Sequence, residues 1–149
     1  LIRDIPENPY FWELKGQALL EGGAPAKALA SLRQANKLLP NSGLIQILYA
    51  QALIATEDRA NIKQALNLLT LAKKTERDSV DVYKYSALAY GYLNDLPRAE
   101  LATAEMAMMQ GDTARASEKA TRVIGQFKHG SPEWMKANDV LNFTSKERN

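Results

Sequence analysis

Apolar and small residues recur along the chain in steps of four and three, the spacing of one face of an α-helix. The first set is Trp12, Gly16 and Leu19, then Ala28, Leu32 and Ala35, closed by Pro40. A second set is Gln46, Ala50 and Leu53, then Ala65, Leu69 and Ala72; a third is Tyr83, Ala87 and Tyr90, then Ala99, Thr103 and Met106. The first and third keep steps of 4, 3, 9, 4 and 3, while the second has 12 in place of 9, which reads as a three-residue insertion around 58–63. No segment shows the two-residue alternation of a half-buried strand.

Turn-forming residues fall between these sets. Gly22-Gly23 ends one helix and Pro25 opens the next, where a first-turn proline costs no hydrogen bond. Pro40 stops a helix, and Asn41 and Ser42 offer oxygens to the amides that follow. Asn94-Asp95 with Pro97, Gly111-Asp112, and Gly130-Ser131-Pro132 repeat this punctuation. The pattern predicts helices near 9–22, 25–39, 43–56, 60–75, 79–93, 96–110, 112–127 and 132–143. A fourth set, Glu100, Ala104, Ala107, Ala116, Ala120 and Val123, starts 17 residues after Tyr83, half a repeat out of phase. The helix at 96–110 thus serves two neighbours, as in a continuous stack. The fold class expected is all-α, an α-solenoid of about three and a half helix-turn-helix repeats, with 1–149 as a single domain: repeats near 9–42, 43–79 and 80–111, then a partial repeat and capping helix over 112–145. Gly16, Ala28 and Ala35 allow helices to approach closely; a mid-helix glycine costs about 1 kcal/mol relative to alanine, so Gly16 needs such a packing reason.

Composition narrows the function classes. The chain of 149 residues has 46% hydrophobic and 24% charged residues, which excludes a disordered chain. A formal charge of +2 does not suit a dedicated nucleic-acid binder. Without cysteine, and with His129 the one histidine, thiolate chemistry and multi-imidazole zinc motifs are impossible on this chain, and no cofactor is expected on it. No stretch reaches the roughly 18 apolar residues of a membrane span, the best being 44–55, interrupted by Gln46 and Gln51. The opening Leu1-Ile2-Arg3-Asp4, with no initiator methionine or signal peptide, reads as a mature product or an excised piece.

The spacing Trp12 to Gln46 is 34 residues, and with Gly16, Ala28 and Pro40 it resembles the tetratricopeptide (TPR) repeat; Gln46 and Arg77 depart from the pattern. A narrower resemblance lies in Asn8-Pro9-Tyr10-Phe11-Trp12-Glu13-Leu14-Lys15-Gly16-Gln17, in Ala99-Glu100-Leu101-Ala102-Thr103-Ala104-Glu105, and in Gly130-Ser131-Pro132-Glu133-Trp134. These are similar to the C-terminal repeat region of bacterial periplasmic HExxH zinc metallopeptidases of outer-membrane protein quality control. That resemblance implies a periplasmic accessory domain, with zinc in a protease domain absent from this chain. The implied partners are outer-membrane assembly components or that protease domain. No HExxH occurs here, so no catalytic or metal residue carries over.

In tetratricopeptide proteins the first helix of each pair lines a concave face suited to a protein or peptide partner. Positions one and five after the Trp12-type residue point inward, giving Glu13 and Gln17, Ile47 and Gln51, Lys84 and Leu88; one turn on come Leu20 and Glu21, Ile54, and Tyr92. The remaining candidates have simpler readings. His129 is expected to compensate a helix C-terminus. Glu13 and Glu21 stand about 12 Å apart along one helix, too far for a glycosidase pair, and with Glu7 read as solvated surface. Arg115, Lys119, Arg122 and Lys128 read as solubilising surface, since no aromatics interleave to stack bases. Met106 is expected in a packing position, with Met108 or Met109 available to a partner helix. The reading is a non-catalytic interaction module; the alternative is a free-standing repeat scaffold. Oligomeric state is open: the capping helix with Trp134, Val140 and Leu141 covers the stack or pairs two chains.

Overall fold

The structure is a computed structural model and describes residues 7–147. Among the described residues there are eight helices and no strand: α1 (Pro9–Glu21), α2 (Pro25–Leu38), α3 (Gly43–Ala55), α4 (Arg59–Ala72), α5 (Val80–Tyr92), α6 (Leu96–Met109), α7 (Thr113–Ile124) and α8 (Pro132–Glu147). The chain divides into two compact units, Leu1–Arg77 and Asp78–Asn149. No described helix is long and apolar enough to cross a membrane.

Side-chain caps start six of the eight described helices, α2 and α5 being the exceptions. Asn8, Ser42, Asp58, Asp95, Asp112 and Ser131 accept backbone N–H groups of the first turn at 2.9–3.3 Å, each satisfying an orphan donor. Three-residue turns join α1 to α2, α3 to α4, α5 to α6 and α6 to α7. The middle residue of every such turn is left-handed: Gly23 at φ 77°, Glu57 at 57°, Asn94 at 59° and Gly111 at 79°. This conformation closes a bond from the following amide to the carbonyl five residues back, Ala24 to Leu19, Asp95 to Tyr90 and Asp112 to Ala107, each at 2.9 Å. In the α3–α4 turn the Thr56 hydroxyl intervenes, donating to the Leu53 carbonyl at 2.6 Å and accepting from the Asp58 amide at 3.4 Å.

The expected insertion at 58–63 is corrected by these turns. α2 follows α1, and α4 follows α3, at the same 16-residue offset. The wider sequence spacing arises because Ile62, not a small residue, holds the place of Ala28, and Ala65 follows one turn later. The three extra residues lie instead after α4, where 73–79 is seven residues long against four for 39–42. The turn over 73–76 folds back on α3: a Cβ added to Gly43 would meet Thr75 Oγ1 and Glu76 Cγ. Gly43 is thus small because the added turn lies against it.

In the first unit α3 packs on α1, α2 and α4. Nine of its thirteen residues are buried, which fits a helix apolar on all sides. Gly16 sits at the α1–α2 crossing, where an added Cβ would stand 2.5 Å from Leu32 Cγ and Cδ2, and Ala28, Leu32 and Ala35 are fully buried. Gln46, in the place usually aromatic, is buried, and its amide Nε2 donates to the Pro40 carbonyl at 2.8 Å, tying α3 to the preceding loop.

In the second unit α6 packs on α5, α7 and α8. The out-of-phase set is the tight one: Ala104, Ala107, Ala116 and Ala120 have no exposed surface and form a cluster with Val140 of α8, flanked by Met108 and Leu141. Leu101, Val123 and Ala137 form a second cluster, backed by Ile124 and Phe127. The third set is less complete, since Ala87, Tyr90, Ala99, Thr103 and Met106 stay half-buried. α8 covers the stack with Ala137, Val140 and Thr144 and leaves Met135 and Phe143 exposed.

Candidate functional site

The first unit presents α1 to solvent along Tyr10, Leu14, Gln17 and Glu21, where Gln17 Nε2 donates to Glu21 Oε1 at 3.0 Å. Glu13 and Leu20 are half-buried beside this row, and Gln51 of α3 is half-buried too. Ile47 and Ile54 correct the expected set: they are only 7% and 1% exposed and belong to the core, while the exposed side of α3 carries Leu44 and Ala55. The solvent side of α3 therefore lies at other positions than the expected ones.

The most exposed large apolar side chains of the first unit lie outside the expected set: Tyr10, Leu14 and Leu44, at 63%, 69% and 61%. Tyr10 and Leu44 stand 34 residues apart, one repeat, so the signal was in the periodicity. Both stand two residues before the first position of their set, Trp12 and Gln46. Beside them Phe11 meets Trp12 edge to face at 5.2 Å, and Lys15 Nζ lies 5.4 Å from the Trp12 ring.

In the second unit Asp81, Lys84, Leu88 and Tyr92 form the exposed stripe of α5, at steps of three and four. Leu88 and Tyr92 are each 47% exposed, and Lys84 Nζ sits 5.4 Å from the neighbouring Tyr85 ring. Burial and then Asp81 raise the Tyr85 phenol above its usual value.

Seven charged residues of this unit are engaged with one another. Arg98 donates to Asp95 at 2.8 Å and to Glu133 at 3.3 Å, joining the start of α6 to the start of α8. The hydrogen bond to Asp95 leads the causes that raise Arg98. Glu133 is lowered, first by a backbone hydrogen bond and, against the opposing effect of burial, by Arg98 and Lys136. Tyr90 is raised mainly by burial, with Arg98 opposing and Asp95, Glu133 and Glu105 reinforcing. Glu100 accepts from Lys119 at 3.1 Å and Arg122 at 3.4 Å, and Arg122 reaches Glu118 at 2.8 Å. Two of the cations read as a surface cluster are therefore neutralised in place.

His129 is a correction. α7 ends at Ile124, so the imidazole lies in the connection to α8 and caps no helix; its ring packs on Trp134 with centroids 4.1 Å apart. Met106 and Met108 are half-buried, and Met109 is 38% exposed. Among the described residues no group of three or more His, Asp or Glu is placed to hold a metal ion.

The family model described as the cytochrome c-type biogenesis protein H TPR domain matches residues 2–111. No curated protein matches the chain.

Proposed function

The chain belongs to that TPR family, and from this premise we infer that it is a non-catalytic protein-interaction module serving cytochrome c-type biogenesis. TPR domains in general mediate protein–protein contacts, and the family match is the observation that carries the narrower assignment. The partner surface is the exposed side of first helices: Tyr10, Leu14, Gln17 and Leu44 in one unit, Lys84, Leu88 and Tyr92 in the other. Apolar anchors spaced by helical turns among amides and charges suit a helical or extended peptide. A periplasmic site of action is part of the proposal. So is the absence of a cofactor on this chain.

Leu88→Asp with Tyr92→Ser, placed in the gene that encodes this chain, tests the reading. Both side chains are already exposed, so the fold is expected to persist, and the amount of covalently haem-bound cytochrome c is expected to fall. Normal haem-bound cytochrome with a normal circular-dichroism melt overturns the reading. The second reading, an accessory domain of a zinc metallopeptidase, rests on the resemblance of segments such as 8–17 and 130–134. A defect in outer-membrane protein turnover with normal cytochrome c would favour it.

A further inference from the structure

We propose that the second helices of the first unit, α2 and α4, form a docking surface for an acidic protein segment, distinct from the first-helix face. α2 exposes Lys27, Arg33 and Lys37, and α4 with its following turn exposes Arg59, Lys63, Asn67, Thr70 and Lys74. Steps of four and three place the α4 row on one side of its helix, and Arg33 and Lys37, four apart, share a side of α2, with Lys27 nearer the helix start. Neither helix contains an aspartate or glutamate.

Tyr49 joins the two helices. It is 2% exposed, and its hydroxyl accepts from Arg33 Nε at 3.4 Å and from Gln64 Nε2 at 3.3 Å. One donor comes from α2 and the other from α4, so the two helices meet at a shared buried atom. Two carboxylates close in sequence are turned to other work: Asp58 caps α4, and the Glu76 side chain lies against Gly43.

The contrast with the second unit gives the surface its meaning. There Arg98, Lys119 and Arg122 each meet a carboxylate within 3.4 Å. Lys27, Lys37 and Lys63 are exposed and form no ion pair among the described residues. Rows of unneutralised cations raise local potential and attract an acidic partner. The side-chain amides Gln64 and Asn67 between them offer donors and acceptors for a peptide main chain. Nucleic acid fits less well, because no aromatic side chain interleaves with the cations. A lipid surface also fits less well, because Leu71 is the sole large apolar residue exposed on these two helices and a peripheral membrane helix draws on buried apolar area.

The test uses the whole chain with a fluorescein-labelled peptide of alternating glutamate and serine, long enough to span α4. The variant Lys27→Gln/Lys37→Gln/Lys63→Gln is compared with Lys128→Gln/Lys136→Gln/Lys146→Gln, which loses the same charge from the second unit. Fluorescence anisotropy is expected to show saturable binding that weakens at least tenfold in the first variant, holds in the second and declines with added salt. No binding, or equal loss in both variants, overturns the proposal. It is also overturned if phosphatidylglycerol vesicles or single-stranded DNA bind as tightly with the same dependence on Lys27, Lys37 and Lys63. Leu88→Asp/Tyr92→Ser is expected to leave this peptide binding unchanged, which separates the surface from the first-helix face.

Discussion

The two units are built on one packing rule and finished with opposite electrostatics. In the first, Gly16 and Ala28 let α1 and α2 close on Leu32; in the second, Ala104, Ala107, Ala116 and Ala120 do the same for α6 and α7. Residues 1–77 carry ten Lys and Arg against seven Asp and Glu, and 78–149 carry nine against ten. The larger difference is arrangement: the second unit pairs its central cations, while α2 and α4 leave theirs in water. Core contacts tolerate few alternatives because small side chains set the helix spacing. Exposed charges contribute little to stability, so they are free to serve binding.

The largest expected effect tests the shared rule. Gly16→Leu and Ala120→Leu are each predicted to cost about 3 kcal/mol by overpacking, read as a lower urea midpoint. If either is neutral, close helix approach is not what holds that unit together. The turns give a smaller contrast. Gly111→Ala at φ 79° is expected to cost about 1 kcal/mol with no clash, since nothing lies within 4 Å of an added Cβ. Glu57→Gly, at the matching position in the first unit, is expected to gain about 0.5 kcal/mol by relieving a left-handed glutamate.

Glu100→Gln sharpens the electrostatic comparison. It weakens the contacts to Lys119 and Arg122 and is expected to cost roughly 0.5 kcal/mol at low salt, an effect that shrinks in 1 M salt at about a 3 Å screening length. The smallest effect is at acid pH. Glu133 titrates lower folded than its ordinary value of 4.5, so its stabilisation is present above that pH and is lost as pH falls through the folded value. Wild type should lose more stability than Glu133→Gln between about pH 5 and pH 3, by thermal melts; equal losses would show that Arg98 does not hold this carboxylate.

Much of the fold was legible in sequence because it is local. Pro25, Pro97, Ser42, Asp95 and Gly111 mark helix ends through dihedral preferences and side-chain caps, which need no distant partner. The reading erred where register depends on neighbours. The insertion assigned to 58–63 lies in 73–79, since Ile62 fills a place that periodicity alone reserved for a small residue. His129 was misplaced because α7 stops at Ile124, short of the expected end. Of the candidate surface, Gln17, Glu21, Lys84, Leu88 and Tyr92 are exposed and Ile47 and Ile54 are core.

The linear pattern by itself determined the class of element, the helix count among the described residues, their handover points and the small residues at the crossings, because 3.6-residue periodicity and turn chemistry are carried by neighbours along the chain. Tertiary structure alone decided which periodic faces were left in water. α3 buried Ile47 and Ile54 but kept Leu44 exposed, α8 packed on α6, and Arg33 of α2 and Gln64 of α4 met at the Tyr49 hydroxyl. Burial and ion pairing are properties of what lies opposite a side chain in space, and no spacing along one helix specifies that.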